Sequence, residues 1–323
     1  RPAMRVLLIT PPLTQLNTPF PATLYLKGFL REQGYTDVAQ ADASLELILK
    51  LLSREGLKRV AARIKKTPAT QFFIQNQNRY LETIDGVIRF LQGRDATQGY
   101  RIASRELLPE GPRFQSLDEE GLFEAFGALS VHDRAQHLAS LYVDDLADFI
   151  REGIDPRFEF SRYGEKLAAS QPSFEPLLTA LAAPATLIDE MTDEVTRELL
   201  ERHAPEVVGF TAPFPGNVYG ALRMSQVLKR ERPQCVTVLG GGYVNTELRE
   251  LAISGDARIA DFMDFVVFDD GERPLLALLG AIKRGDAATT SELLRTVRRS
   301  TTTGRLEWIS STRLHDVPQR ETG

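Results

Sequence analysis

Cysteine is nearly absent from this 323-residue sequence: Cys235 is its only one. A single thiol excludes an internal disulfide, a cysteine-based zinc site and a self-contained iron–sulfur cluster, which needs about three or four thiolates. Long apolar runs are missing too. None approaches the roughly 18 residues that would cross a bilayer, and the opening stretch MRVLLIT (residues 4–10) is too short for a signal segment and runs into a Pro-Pro turn. No membrane contact is expected, and the cytoplasm is the natural compartment. Acidic and basic residues, 44 against 39, are mixed along the chain rather than blocked, for a formal net charge of −5. A phosphate backbone would find no electrostatic footprint, so nucleic acid is not an expected partner. Neither G-x-G-x-x-G nor G-x-x-x-x-G-K-[ST] follows any strand-like run, which argues against nicotinamide cofactors and nucleoside triphosphates.

What is present suffices for a sizeable core, with 42% hydrophobic and 26% charged residues. Residues 5–10 (RVLLIT) read as a buried strand. The turn-rich PPLTQLNTPFP follows, then the apolar-periodic helix ATLYLKGFLREQG ending at Gly34, then a short strand DVAQAD at 37–42. Residues 1–42 therefore predict a β-α-β unit with a right-handed crossover. From 43 to 196 the apolar spacing becomes helical, as in Leu81, Ile84, Val87, Ile88 and Leu91. A structureless loop of that length is foreign to a compact protein, so a helical insertion or subdomain is expected there. Strand–helix alternation resumes over 197–285: EVVGFT (206–211), a helix over 218–231, CVTVL (235–239), a helix through 248–253, a strand over 262–268 and a helix over 273–283. Five short apolar strands with helical crossovers predict an α/β, flavodoxin-like (Rossmann-like) doubly wound parallel sheet of order 2-1-3-4-5. Residues 286–323 read as a β-hairpin around the turn at 301–304, then a polar linker toward a further domain.

Such a sheet binds ligands outside the carboxyl ends of its strands, near the switch point. Four loops should meet there: 11–21, 211–217, 240–245 and 269–272. The run Gly240-Gly241-Gly242 lets a backbone approach a bulky ligand with no Cβ in the way, although the same glycines suit a tight strand-to-helix turn. Prolines and an aromatic stiffen the first loop (Pro11, Pro12, Pro19, Phe20, Pro21), either as a wall or to redirect the chain. The run Asp269-Asp270-Gly271-Glu272 precedes Pro274 and a helix, so its carboxylates read as helix-start residues favoured by capping and the dipole, with ligand contact as the alternative. Of the histidines, His132 and His137 fall in the helical insertion, His203 at a helix end and His315 in the tail. No metal ligand and no catalytic residue is assigned. Cys235 and Met224 read as packing.

The segments GFTAPFPGN (209–217), LGGGYVNTEL (239–248) and DFVVFDDGERPLLALL (264–279), with the opening RVLLITPPLTQLNTPFPATLYLKGFL, resemble the cobalamin-binding domain that precedes the radical SAM barrel in cobalamin-dependent radical SAM proteins. The resemblance covers residues 5–40 and 205–279. It implies a corrin ring on the strand ends with its nucleotide tail reaching into the domain. By position it assigns to the ligand Pro12, Leu13, Thr14 and Gln15 of the first loop, and Thr211, Ala212, Pro213, Phe214 and Asn217 of the second. It further assigns Gly240, Gly241, Gly242, Tyr243 and Asn245 around the tail, and Asp270 and Glu272. Cobalamin domains of methyltransferases and mutases carry Asp-x-His-x-x-Gly in the first loop; PPLTQLNTPFP has neither Asp nor His, so the resemblance implies base-off cobalamin without a protein histidine ligand. It also implies a parent enzyme for methyl transfer or a related radical reaction. There a radical SAM domain C-terminal to these residues adds a 4Fe–4S cluster and S-adenosylmethionine, and the present chain is not catalytic alone. Two other readings stay open. One is a stand-alone corrinoid carrier or sensor acting through a partner; the other is an α/β enzyme on an unrelated nucleotide or sugar, with Asp270 and Glu272 as acid–base groups.

Overall fold

A computed structural model describes residues 3–14, 20–115, 117, 130–160, 174–249 and 256–311. Five apolar runs form parallel strands: β1 (Val6–Thr10), β2 (Val38–Asp42), β3 (Val207–Thr211), β4 (Val236–Gly240) and β5 (Phe265–Val267). Their order is β2-β1-β3-β4-β5, as expected for the doubly wound fold. The hairpin strands β6 (Thr296–Arg299) and β7 (Leu306–Ile309) do not stand apart from this sheet. They join it antiparallel beyond β5, giving seven strands. An apolar strand left at the edge would expose a row of unpaired backbone groups, and β6 satisfies them.

Among the described residues the α-helices are α1 (Ala22–Glu32), α2 (Ala43–Leu51), α3 (Arg54–Arg63), α4 (Gln71–Leu91), α5 (Gln98–Ala103), α6 (Val131–Gly153), α7 (Glu175–Ala182), α8 (Leu187–His203), α9 (Val218–Glu231) and α10 (Glu272–Arg284). Alternation along the strands decides what faces what. Val6 and Leu8 of β1 share a buried cluster with Val207, Val238, Phe265 and Val267 of the neighbouring strands, with Leu30 of α1 and with Leu275, Leu278 and Leu279 of α10. Leu7, Ile9, Val208 and Phe210 are buried as well, so both faces of the sheet are covered, which is why β1 and β3 read as unbroken apolar runs. The chain leaves β1 for the edge strand β2 on one side and leaves β3 for β4 on the other, so the loops after β1 and β3 diverge and open a crevice between them.

Residues 1–45, 160–184 and 192–323 form one compact unit, and 46–159 with 185–191 form a second. The second unit is helical. Its centre is an aromatic stack in which Tyr80 of α4 lies 5.1 Å from Tyr142 and 5.4 Å from Phe73, ring centroid to centroid, and the Thr83 and Tyr142 hydroxyls are 2.9 Å apart. No described helix is long and apolar enough to cross a membrane.

In the same unit Asp145 of α6 is only 1% exposed. Its Oδ1 accepts from the Arg113 N–H at 3.0 Å, while Oδ2 is buried without a hydrogen-bond partner among the described residues. The Arg113 guanidinium is engaged elsewhere, on Asp148 at 2.7 Å. Burial pushes the Asp145 carboxyl up to about 6, from an ordinary value near 3.8. A raised folded-state value means the stabilising contribution is complete below the unfolded value and is lost as pH rises through about 6. We expect this group alone to remove roughly 2 kcal/mol between pH 4 and pH 7. Urea unfolding across that range, with Asp145→Asn alongside, checks it: the difference between the two proteins should swing toward the variant as pH rises, and parallel pH profiles would refute the assignment.

Candidate functional site

The crevice is a cleft of about 320 Å³ at the carboxyl ends of β1, β3, β4 and β5. One wall is the sheet itself, through Leu8, Gly209, Val238 and Val267. The facing wall comes from helices, through Ala22, Tyr25 and Leu26 of α1 and Leu275 of α10. Its rim is Phe20, Thr211, Gly240, Gly241, Gly242, Asn245, Asp269, Asp270, Gly271 and Glu272. A slot between sheet and helices with a mostly apolar lining and a polar mouth suits a ligand with one flat, poorly hydrated part. A larger depression of about 740 Å³ lies at the opposite, amino ends of the strands beside Arg5, Glu206 and Cys235, away from the switch point. Burial, followed by the charge of Asp264, pushes the Cys235 thiol up to about 11. The protonated form is thereby favoured at neutral pH, as for a buried packing thiol.

Glycine makes the slot. At Gly209 an added Cβ would meet only Leu8 Cδ2, at 3.0 Å, and at Gly240 it would meet Val267 Cγ2 at 3.1 Å. Gly241 is different, because its φ is +113° and a Cβ would sit 2.6 Å from the Ala212 carbonyl oxygen. Its backbone is pressed against the neighbouring loop. The Ala212 N–H donates to the Gly240 carbonyl at 2.8 Å, and the Tyr243 N–H donates to the Ala212 carbonyl at 3.1 Å. The loops after β3 and β4 are thus stitched together backbone to backbone, and only glycine fits the seam.

Of the residues singled out in the sequence, Thr211, Gly240, Gly241, Gly242, Asn245, Asp270 and Glu272 line the cleft. Pro12, Leu13, Thr14, Ala212, Pro213, Phe214, Asn217 and Tyr243 do not. Leu13 and Thr14 are buried, the Thr14 N–H donating to Ser44 Oγ at 2.9 Å. Pro12 packs on α9, where a Cβ at Gly220 would come 2.3 Å from its carbonyl oxygen. Asn217 is fully buried and donates from Nδ2 to the Pro11 carbonyl at 2.8 Å, tying the β1 loop to the β3 loop. Tyr243 is buried, which pushes its hydroxyl up to about 12 and keeps it neutral. Phe214 is 54% exposed and meets Phe20 edge-on at 6.1 Å, next to the mouth. Gln15 and Pro19 lie outside the described residues, as do His315 and the expected helix beyond residue 249.

The acidic run after β5 does not cap its helix in the expected way. The N-cap of α10 is Gly271, without a side-chain bond, and Glu272 sits in the first turn, where the dipole favours it. Asp269 adopts a φ of 61° and gives its N–H to Asn245 Oδ1 at 2.7 Å. Tyr25, Leu26 and Leu275 were not singled out in the sequence as cleft residues. On a helix such residues read as core contacts, and only the position of the cleft between helix and sheet turns them into lining. Among the described residues no group of three or more His, Cys, Asp or Glu side chains could hold a metal ion.

This chain is similar in sequence to the anaerobic magnesium-protoporphyrin IX monomethyl ester cyclase of Rubrivivax gelatinosus. The two are 29% identical over 99 residues, which is 31% of this chain and 17% of the cyclase. This chain therefore spans only a small part of that relative's length. No protein-family model matches the chain, and no solved structure does.

Proposed function

We propose that the sheet-bearing unit binds a corrinoid, cobalamin being the type, in the cleft at its strand ends, as the cofactor-holding part of a radical SAM-related protein. The observation that carries the reading is the slot: glycines at 209 and 240 leave open a space between sheet and helices, with Gly241 at its rim, just where a doubly wound fold takes its ligand. The distant relation to the cyclase supports the radical SAM side of it. A bound corrinoid would supply the reactive cobalt chemistry. The chain's own part is binding and exclusion of water. Leu8, Val238, Val267, Leu26 and Leu275 would enclose the flat end of the tail, Gly241 and Gly242 would let the backbone approach it, and Phe20 with Phe214 would border the exposed side. A cluster and S-adenosylmethionine, which the reaction class uses, would have to be held by other residues, since these 323 offer one cysteine and its thiol is buried.

The test is a titration with hydroxocobalamin followed in the visible spectrum, with the slot plugged from each wall in turn. Gly209→Val fills it from the sheet and Ala22→Trp from the helix. We expect saturable, base-off binding by the unaltered chain, weakened by about a hundredfold or more in both variants. Unfolding curves guard against a trivial loss. Absence of binding by a folded, unaltered chain, or undiminished binding by both plugged variants, would remove the proposal.

A further inference from the structure

Asp269 stands at the edge of the cleft in a left-handed conformation, φ 61°, which Asp adopts more readily than most side chains but which still costs free energy that its surroundings must offset. Three groups do so here. Its N–H is taken by Asn245 Oδ1 at 2.7 Å, its carboxylate is bonded by Arg249 Nη2, and Arg295 Nε lies 3.6 Å from the same carboxylate. Arg249 is itself held by two rings. Its guanidinium carbon lies 5.4 Å from the centroid of Phe268 and 5.7 Å from that of Trp308, and the two rings are 5.0 Å apart. The charge pair alone would carry little weight, because Arg249 is 40% and Asp269 44% exposed. Stacking fixes the arginine's position and removes much of the entropy that weakens an exposed pair.

We propose that Arg249 is a positioning residue of the cleft: by gripping Asp269 it holds the 268–272 wall against the slot, and through Trp308 it couples that wall to the β6–β7 hairpin. The functional half of this inference rests on the reading of the cleft as a corrinoid site. Arg249 does not itself line the cleft, so its influence on a ligand runs through the wall. Loss of the grip should let the wall relax from its left-handed turn and widen the mouth, while the sheet below keeps its register.

Hydrogen–deuterium exchange of the ligand-free chain tests the grip independently of any ligand. The Phe268 and Asp269 amides, bonded to the Arg295 carbonyl and to Asn245 Oδ1, are the reporters. In Arg249→Ala we expect exchange across 265–275 to speed by about tenfold with β1 and β3 unchanged, and hydroxocobalamin affinity to fall by about tenfold. Asp269→Ala should do the same, and the double variant no more than either single one. Unchanged exchange in Arg249→Ala overturns the proposal whatever the ligand does. Faster exchange with undiminished affinity, in a chain that binds hydroxocobalamin saturably, overturns the coupling to the cleft. If the unaltered chain takes up no hydroxocobalamin, the corrinoid reading fails, and the exchange result alone decides the grip.

Discussion

Gly241→Val is expected to cost about 3–5 kcal/mol of stability and to abolish the proposed hydroxocobalamin binding at the cleft, with Gly241→Ala between it and the unaltered chain. Two penalties add. At φ +113° a residue with a Cβ is strained wherever it sits, by about 1–3 kcal/mol. Here the Cβ would also stand 2.6 to 2.8 Å from the oxygen, carbon and nitrogen of Ala212, all backbone atoms. Ala212 cannot step aside cheaply, since its N–H and carbonyl bond to Gly240 and Tyr243, and each bond given up costs about 1 kcal/mol net. Gly285 supplies the contrast. Its φ is +85° but nothing lies within 4 Å of an added Cβ, so Gly285→Ala should show the conformational part of the penalty alone, about 1 kcal/mol. Urea unfolding of the three variants beside the unaltered chain separates the two contributions. Equal losses at 241 and 285 would mean that the seam between the β3 and β4 loops yields easily and does not shape the mouth of the cleft.

The sheet was legible because each strand is a short apolar run closed by a turn signal, and because helical crossovers force parallel pairing. Residues 218–231 were read as a helix and are one, from Val218 to Glu231. Less legible was the partnership of the hairpin. TVRR and LEWI read as two strands in sequence, but nothing local says that β6 pairs with β5 rather than standing alone. The cleft was legible to the extent that its lining comes from loops. Gly240 and Gly241 announce themselves by residue type after a strand and Asn245 enters through the resemblance, whereas the helical wall is built from Tyr25, Leu26 and Leu275, whose spacing looks like any buried helix face. The resemblance assigns Asn217 to the ligand, whereas in the structure its Nδ2 donates to the Pro11 carbonyl and its Oδ1 is buried with no hydrogen-bond partner among the described residues. The Asp269 grip depends on Arg249 and Arg295, 20 and 26 positions away on either side, and no spacing rule links them.

Arg157→Ala should destabilise the helical unit by about 3–5 kcal/mol, because it takes a cationic partner from two buried carboxylates at once. Asp155 and Asp189 are both almost fully buried. Arg157 reaches Asp155 from Nε and Nη2 at 3.0 Å each and Asp189 from Nη2 at 3.1 Å, while Thr186 Oγ1 donates to Asp155 at 2.8 Å and the Thr186 N–H to Asp189 at 2.9 Å. Burial by itself would raise the Asp155 carboxyl. The bonds and charge of Arg157, with Thr186, outweigh burial and hold it below the ordinary carboxylate range. A lowered folded-state value means a contribution that is present above the unfolded value and lost as pH falls through the folded one. Without Arg157 the balance at Asp155 tips toward burial, which favours the protonated carboxyl, so the loss is greatest at neutral pH and shrinks as the solution is made mildly acidic. Asp155→Asn placed in the Arg157→Ala background should recover part of the loss at pH 7 and little near pH 4, since a neutral amide no longer needs the missing charge. Urea unfolding of the single and double variants at the two pH values gives the answer. A deficit that is the same at both would mean that Arg157 contributes through packing of its stem rather than through its charge.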